Sequence, residues 1–198
     1  MKRLFVILFS LLTICVTNAQ FRKDNFEVGL SGSFGGLNAT NVNIYAQDYS
    51  TYNFTFLSAF VGYYLFDGWS IEPEFGIFAV ENNTPAQYAI ANISYTKMRK
   101  DSPFAFFGKI GFGVSNSLIL TYNNEKSTIQ NPDNFDTRII SLGMGIKYLV
   151  DNNIALRGEF NYKFQNRSLI AGPVNGTMFS YDSKYETFSI AFGAALLF

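Results

Sequence analysis

The stretch Thr187-Phe188-Ser189-Ile190-Ala191-Phe192-Gly193-Ala194-Ala195-Leu196-Leu197-Phe198 decides how the rest of the chain is read. Phe188, Ile190, Phe192, Ala194, Leu196 and Phe198 fall on one side of an extended chain. Thr187, Ser189, Ala191, Gly193 and Ala195 fall on the other. A period of two is the signature of a strand with one apolar face.

Working back from that stretch, the alternation recurs. Phe26, Val28 and Leu30 oppose Glu27, Gly29 and Ser31, and Ile71, Phe75 and Ile77 oppose Glu72, Glu74 and Gly76. Phe104, Phe106, Ile110 and Phe112 oppose Ala105, Lys109, Gly111 and Gly113. Leu142, Met144, Ile146 and Tyr148 oppose Ser141, Gly143, Gly145 and Lys147. Leu156, Phe160 and Tyr162 oppose Arg157, Glu159, Asn161 and Lys163. Two segments are less regular. In 55–65 the apolar face reads Leu57, Ala59, Val61, Tyr63 and Leu65, although Phe56 and Phe60 sit opposite, and in 87–96 it reads Ala89, Ala91, Ile93 and Tyr95. The segments number eight, an even count.

Connections alternate in length. Short links are expected near Phe66–Trp69 (with Asp67-Gly68), Lys97–Ser102 and Val150–Asn153. Longer loops are expected over roughly 35–53, 115–136 and 165–185, with 81–86 of moderate length. An up-and-down meander of eight antiparallel strands follows, closed into a transmembrane β-barrel with short turns on one side and long loops on the other.

Three features make the apolar face the outer one. An eight-stranded barrel has an interior that side chains just fill, and Phe, Tyr, Ile and Leu at nearly every position of one face would overfill it. The small-residue face carries Glu27, Glu72, Glu74 and Glu159 together with Lys109, Lys147, Arg157 and Lys163, four of each sign, which can neutralise one another inside a lumen. Tyr63, Trp69, Tyr148 and Phe198 cluster near the short-turn end of the apolar face, where rings form an interfacial girdle. A water-soluble barrel of inverted polarity accounts for none of these. Closure also pairs every backbone group, as hydrocarbon demands. Pro73 has no N–H to give, so a bulge or a missing ladder bond is expected there.

Composition agrees. Of 198 residues, 15% are charged and 18% aromatic, with 22 Phe and 12 Tyr. An ordinary soluble domain carries about 25% charge. Basic and acidic residues balance at 15 each, which argues against nucleic acid as a partner. Lys2 and Arg3, the apolar run Leu4 to Val16, and Thr17-Asn18-Ala19 read as a secretory leader cleaved after Ala19. The expected domains are therefore 1–19, the signal peptide, and 20–198, the barrel. Ile14 before Cys15 is not the small residue that a lipid-attachment signal requires.

The run Val61-Gly62-Tyr63-Tyr64-Leu65, a short turn, then Trp69-Ser70-Ile71-Glu72-Pro73-Glu74-Phe75-Gly76 resembles the second hairpin of the outer-membrane β-barrel domain family, which includes the small OmpA/OmpX-type barrels. The closing run through Phe198 resembles the C-terminal signal read by barrel-assembly machinery. The resemblance implies an outer-membrane location with both termini periplasmic. It brings no catalytic motif, because members of the family serve as anchors, adhesins or narrow pores.

The chain has no histidine, and without that base or a marked substitute no hydrolytic site is expected. No cofactor or metal is expected either: Asp133, Asn134 and Asp136 lack the spacing and closing Glu of a calcium loop. The charged interior set has two readings, a network that plugs the lumen or a gate, with Lys109 or Lys147 paired to Glu72 or Glu74. The many inward glycines leave space, which favours a narrow porin-like channel for ions or small solutes. Tyr45, Tyr49 and Tyr52, and Leu169, Ile170, Phe179 and Tyr181 around Gly172-Pro173, are candidate anchors for an extracellular ligand on the long loops, the alternative being that strands extend beyond the membrane and pack them. Arg138, at outward parity near the outer rim, is placed to meet lipopolysaccharide phosphates, with snorkelling as the plain alternative.

Overall fold

Alternating sequence becomes alternating burial. In β5, Phe104–Ser115, outward and inward residues succeed each other almost without interruption, with Phe106 and Phe112 exposed and Ala105, Phe107 and Lys109 buried. The computed structural model describes residues 21–42, 47–80, 85–98, 102–116, 137–174 and 177–198. The remaining strands are β1 Phe26–Val42, β2 Gln47–Phe66, β3 Trp69–Val80, β4 Ala86–Met98, β6 Thr137–Leu149, β7 Ile154–Val174 and β8 Thr177–Leu197. Each pairs antiparallel with its sequence neighbours and β8 pairs with β1, giving a closed eight-stranded up-and-down barrel.

Tight turns make the short-turn end. Between β2 and β3, Gly68 takes a φ of 80°, a left-handed conformation that costs glycine nothing. Between β6 and β7, the Asp151 carboxylate accepts from the N–H groups of Asn153 at 2.8 Å and Ile154 at 2.7 Å. Pro73 leaves the expected gap. Phe60 pairs with Glu74 and Tyr63 with Ile71, but the two rungs between them are missing on the β2 side. The only register shift of this pair lies between Tyr64 and Phe66, beyond the proline.

Outward positions are apolar over a continuous band. Leu30, Leu57, Phe75, Phe112, Met144, Phe160 and Phe192 are all more than half exposed. At its short-turn edge three cross-strand ring pairs form a girdle: Phe26 with Tyr63 (4.8 Å between centroids), Trp69 with Tyr95 (4.9 Å) and Phe104 with Tyr148 (5.1 Å). A band this broad is far too large an apolar patch for a water-facing surface.

Two of the expected long loops are strand instead. The span 35–53 is mostly β1 and β2, paired rung by rung from Phe26↔Tyr63 to Val42↔Gln47. Likewise 165–185 is β7 and β8, paired to Leu169↔Tyr181 and Ala171↔Phe179, with a register shift before Val174. A membrane crossing takes about 9–11 residues of tilted strand. β3 and β5, with 12 residues each, fit one crossing. β2, β7 and β8, with 20, 21 and 21, overshoot it. Because β8 pairs with β1 up to Val42↔Asp182, the neighbours β7-β8-β1-β2 form a four-stranded ribbon that runs past the described ends of strands β3–β6. Residues 117–136 and Tyr45 lie outside the described residues, and so do the side chains of Leu169, Ile170, Phe179 and Tyr181.

Candidate functional site

Inward parity brings all eight charged residues named from the sequence into one layer of the lumen. Glu27 comes from β1, Glu72 and Glu74 from β3, Lys109 from β5, Lys147 from β6, and Arg157, Glu159 and Lys163 from β7. Each is at most 7% exposed. Removing ions from water costs several kcal/mol apiece, so such a layer persists only if it is closely paired.

It is. Lys109 Nζ sits between three carboxylates, 2.7 Å from Glu159 Oε1, 2.9 Å from Glu74 Oε2 and 3.6 Å from Glu72 Oε1. Arg157 donates through Nη1 and Nη2 to both oxygens of Glu72, at 2.9 and 3.0 Å, and through Nε to Glu159 at 2.9 Å. That forked geometry is what a guanidinium provides and an ammonium does not. Lys163 reaches Glu74 Oε1 at 3.3 Å, and the Tyr88 hydroxyl donates to the same oxygen at 2.8 Å. Lys147 pairs with Glu27, and the Tyr64 hydroxyl donates to Glu27 Oε2 at 2.8 Å. Of the two lysines offered for Glu72 or Glu74, Lys109 meets both carboxylates, and Lys147 is held by Glu27. Glu27 is the second residue of β1, at the short-turn end, while the β3 carboxylates are already engaged by Lys109, Arg157 and Lys163.

Aromatic rings inside the lumen were underestimated from sequence. Arg157 lies between Phe60 (4.5 Å from guanidinium to centroid) and Phe107 (4.2 Å). Lys163 Nζ stands 4.4 Å from the rings of both Phe56 and Tyr88. Room for them comes from inward glycines on facing strands. A Cβ at Gly29 would collide with the Phe60 ring, and one at Gly76 would lie 2.6 Å from the Tyr88 ring. At Gly143 it would lie 2.7 Å from Glu159 Oε1 and 2.9 Å from Lys109 Cε. These glycines are occupied by neighbouring side chains and do not leave open bore, which removes the spacing argument for a channel. The signal was legible in part, since Phe56 and Phe60 already broke the apolar parity of β2.

The charged layer is covered on both sides. Towards the outer rim, Leu37, Phe54, Phe56, Phe78, Val80, Tyr88, Ile90, Ile139 and Tyr185 form an apolar cluster, with Tyr52 packed against it. Tyr52 is therefore part of the lumen packing and no loop anchor; Tyr49, 72% exposed on β2, still faces out. Towards the short-turn end, Phe21, Tyr64, Ala105, Ala155 and Leu197 form a second cluster with Leu149. Phe198, the expected assembly signal, is tied into the closing seam: Phe26 N–H donates to its carbonyl at 3.1 Å, and its N–H donates to the Phe26 carbonyl at 2.8 Å. Among the described residues no cluster of His, Cys, Asp and Glu is arranged to hold a metal.

Solved structures of similar fold are small membrane barrels. The N-terminal β-barrel domain of Pseudomonas aeruginosa OprF aligns with a TM-score of 0.55 at 11% identity, covering 89% of this chain and 98% of that one. Pseudomonas aeruginosa OprG gives 0.54 at 11% identity, over 89% and 97%. AlkL, solved in lipid bilayers, gives 0.53 at 14% identity, over 92% and 94%. Among curated proteins nothing matches the sequence. The family model for the outer membrane protein beta-barrel domain matches residues 7–196. With its lipid-facing apolar band, charged lumen and closed eight-stranded meander, the chain belongs to the outer membrane protein β-barrel domain family.

Proposed function

We propose that this protein is a non-enzymatic outer-membrane barrel with a closed lumen, serving a structural or surface-interaction role. The observation that carries the reading is the paired charge layer, in which Lys109 and Arg157 tie carboxylates from β3 and β7 across the bore. With each of its eight residues in an ion pair and apolar clusters on both sides, the layer resists hydration, and an ion crossing it would have to displace charge-assisted bonds. Steady conductance steps from the purified protein in a planar bilayer would sink the reading; silence from folded protein agrees with it.

In this reading residues 1–19 are a cleaved leader, the short turns and both termini are periplasmic, and the β7-β8-β1-β2 ribbon projects outside the cell. The ribbon is then the surface for an extracellular partner, with Tyr49 exposed upon it. Barrel-assembly machinery takes hold through β8 and Phe198. Lipopolysaccharide is the lipid partner at the outer rim: exposed Arg138 neighbours Asn166, which neighbours Lys184, on one rung above the apolar band. A narrow channel is the second reading. It draws support from Ser141 Oγ and Asn161 Oδ1, which are buried without a hydrogen bond and would suit water along the β6–β7 wall.

A further inference from the structure

We infer that the segment Phe21–Asn25 is a built-in stopper for the short-turn mouth of the lumen, with the Phe21 ring as the plug. The inference rests on the closed lumen proposed above and names the part that shuts this end.

The segment turns back over the barrel. Asp24 adopts a φ of 67°, a left-handed conformation that a non-glycine residue holds only when its surroundings enforce it. Here they do. Asp24 N–H donates to the Tyr64 carbonyl at 2.7 Å, its carboxylate accepts from the Tyr63 hydroxyl at 2.9 Å, and Lys23 N–H donates to Asp67 Oδ1 at 3.1 Å. One further bond fixes the start of the segment, from Gly68 N–H to the Phe21 carbonyl at 3.0 Å. The segment is thus stitched to the β2–β3 turn and points its first described side chain into the bore.

The location of that ring is unusual for a residue outside the strands. Arg22, Lys23 and Asp24 are exposed, yet Phe21 is 6% exposed. It packs in a cluster with Tyr64 of β2, Ala105 of β5, Leu149 of β6, Ala155 of β7 and Leu197 of β8. The cluster it joins draws on five strands of the closed barrel, and its ring lies 5.8 Å from that of Tyr64. Ala105 and Ala155 supply the room, since both are small and fully buried. Behind the ring, 5.0 Å from its centroid, lies the Lys147 ammonium, which pairs with Glu27 at the end of the charged layer. Phe21 thus covers the one end of the layer that the apolar cluster of the outer half does not reach. Without the ring, the Lys147–Glu27 pair would face water.

The test reads water access beneath the ring. With Cys15→Ala, an Ala155→Cys substitution places a single thiol under Phe21, and Asn152→Cys places one on the exposed β6–β7 turn. Folded protein, identified by heat-modifiable gel mobility, is reacted in detergent with a small charged methanethiosulfonate. Because thiol exchange depends on access, Cys at 155 is expected to react at least about tenfold more slowly than Cys at 152. Phe21→Ala is expected to raise the rate at 155 towards that at 152, and Phe21→Tyr, which keeps a ring, to leave it slow. Equal rates at 155 and 152 with the segment intact overturn the stopper, and no Phe21 variant need fold for that result. No change on Phe21→Ala in folded protein also overturns it. The two readings fail separately, because conductance steps from the unaltered protein overturn the closed lumen whatever the thiol rates are.

Discussion

The middle and the outer half of the lumen are filled by opposite means. The middle holds Glu27, Glu72, Glu74, Glu159, Lys109, Lys147, Arg157 and Lys163, buried and mutually paired. The outer half holds Leu37, Phe54, Phe78, Val80 and Ile139, with no charge in the cluster. The apolar half gains from every contact independently and tolerates gradual change. The charged half is all-or-none, because removing one partner strands another in a medium that cannot solvate it. In a barrel whose outer face is already apolar, charge inside also fixes which face is which: a one-residue slip of β1, β3, β5, β6 or β7 would put an ion into lipid.

That contrast can be broken or sharpened by substitution. The largest effect is expected for Arg157→Met, which leaves Glu72 and Glu159 without their forked donor. A loss of about 3–5 kcal/mol is expected from the urea midpoint of the folded barrel in detergent. Adding Glu72→Met should return part of the loss, and a strictly additive double variant would mean that the two do not act as a pair. Next comes Leu37→Ala, fully buried in the apolar half, at about 2–5 kcal/mol by the same titration, with no rescue from any charged-layer variant. A loss that is rescued would erase the distinction between the halves.

Smaller still is Gly29→Ala, which forces the Phe60 ring from its seat beside Arg157, at about 1–3 kcal/mol. Combining it with Phe60→Leu should lessen the cost if crowding of the ring is the cause. The smallest effect belongs to Tyr49→Ser on the projecting ribbon. Its side chain is exposed, so stability should stay within about 0.5 kcal/mol while any binding to a cell surface changes. A large drop in the unfolding midpoint would place Tyr49 in the packing and remove it as a contact residue.

Much of this was legible in the chain. Parity alone placed Glu72, Lys109 and Arg157 inside and Phe75, Phe112 and Met144 outside, because a strand has only two faces and lipid accepts only one kind of side chain. Even the irregular segment 87–96 follows its parity, with Ile93 and Tyr95 outward and Asn92 and Ser94 buried. Pro73 announced its missing rungs by lacking an N–H. The reach of β1, β2, β7 and β8 was not legible, since Leu37, Tyr52 and Tyr185 stand among polar residues there and no clean period of two marks these spans as strand.

The sequence by itself determined a membrane-crossing meander, its inner and outer faces and the four-to-four balance of its central charged set, because period and charge are properties of neighbouring residues along one strand. Tertiary structure alone decided that Lys147 meets Glu27, that Phe60 and Tyr88 lie over glycines and that Phe21 turns into the mouth. Those contacts join residues of different strands, neighbouring ones for Phe60 and Tyr88 and distant ones for Lys147 and Glu27, and only strand register and closure of the barrel fix which side chains share the same level of the bore.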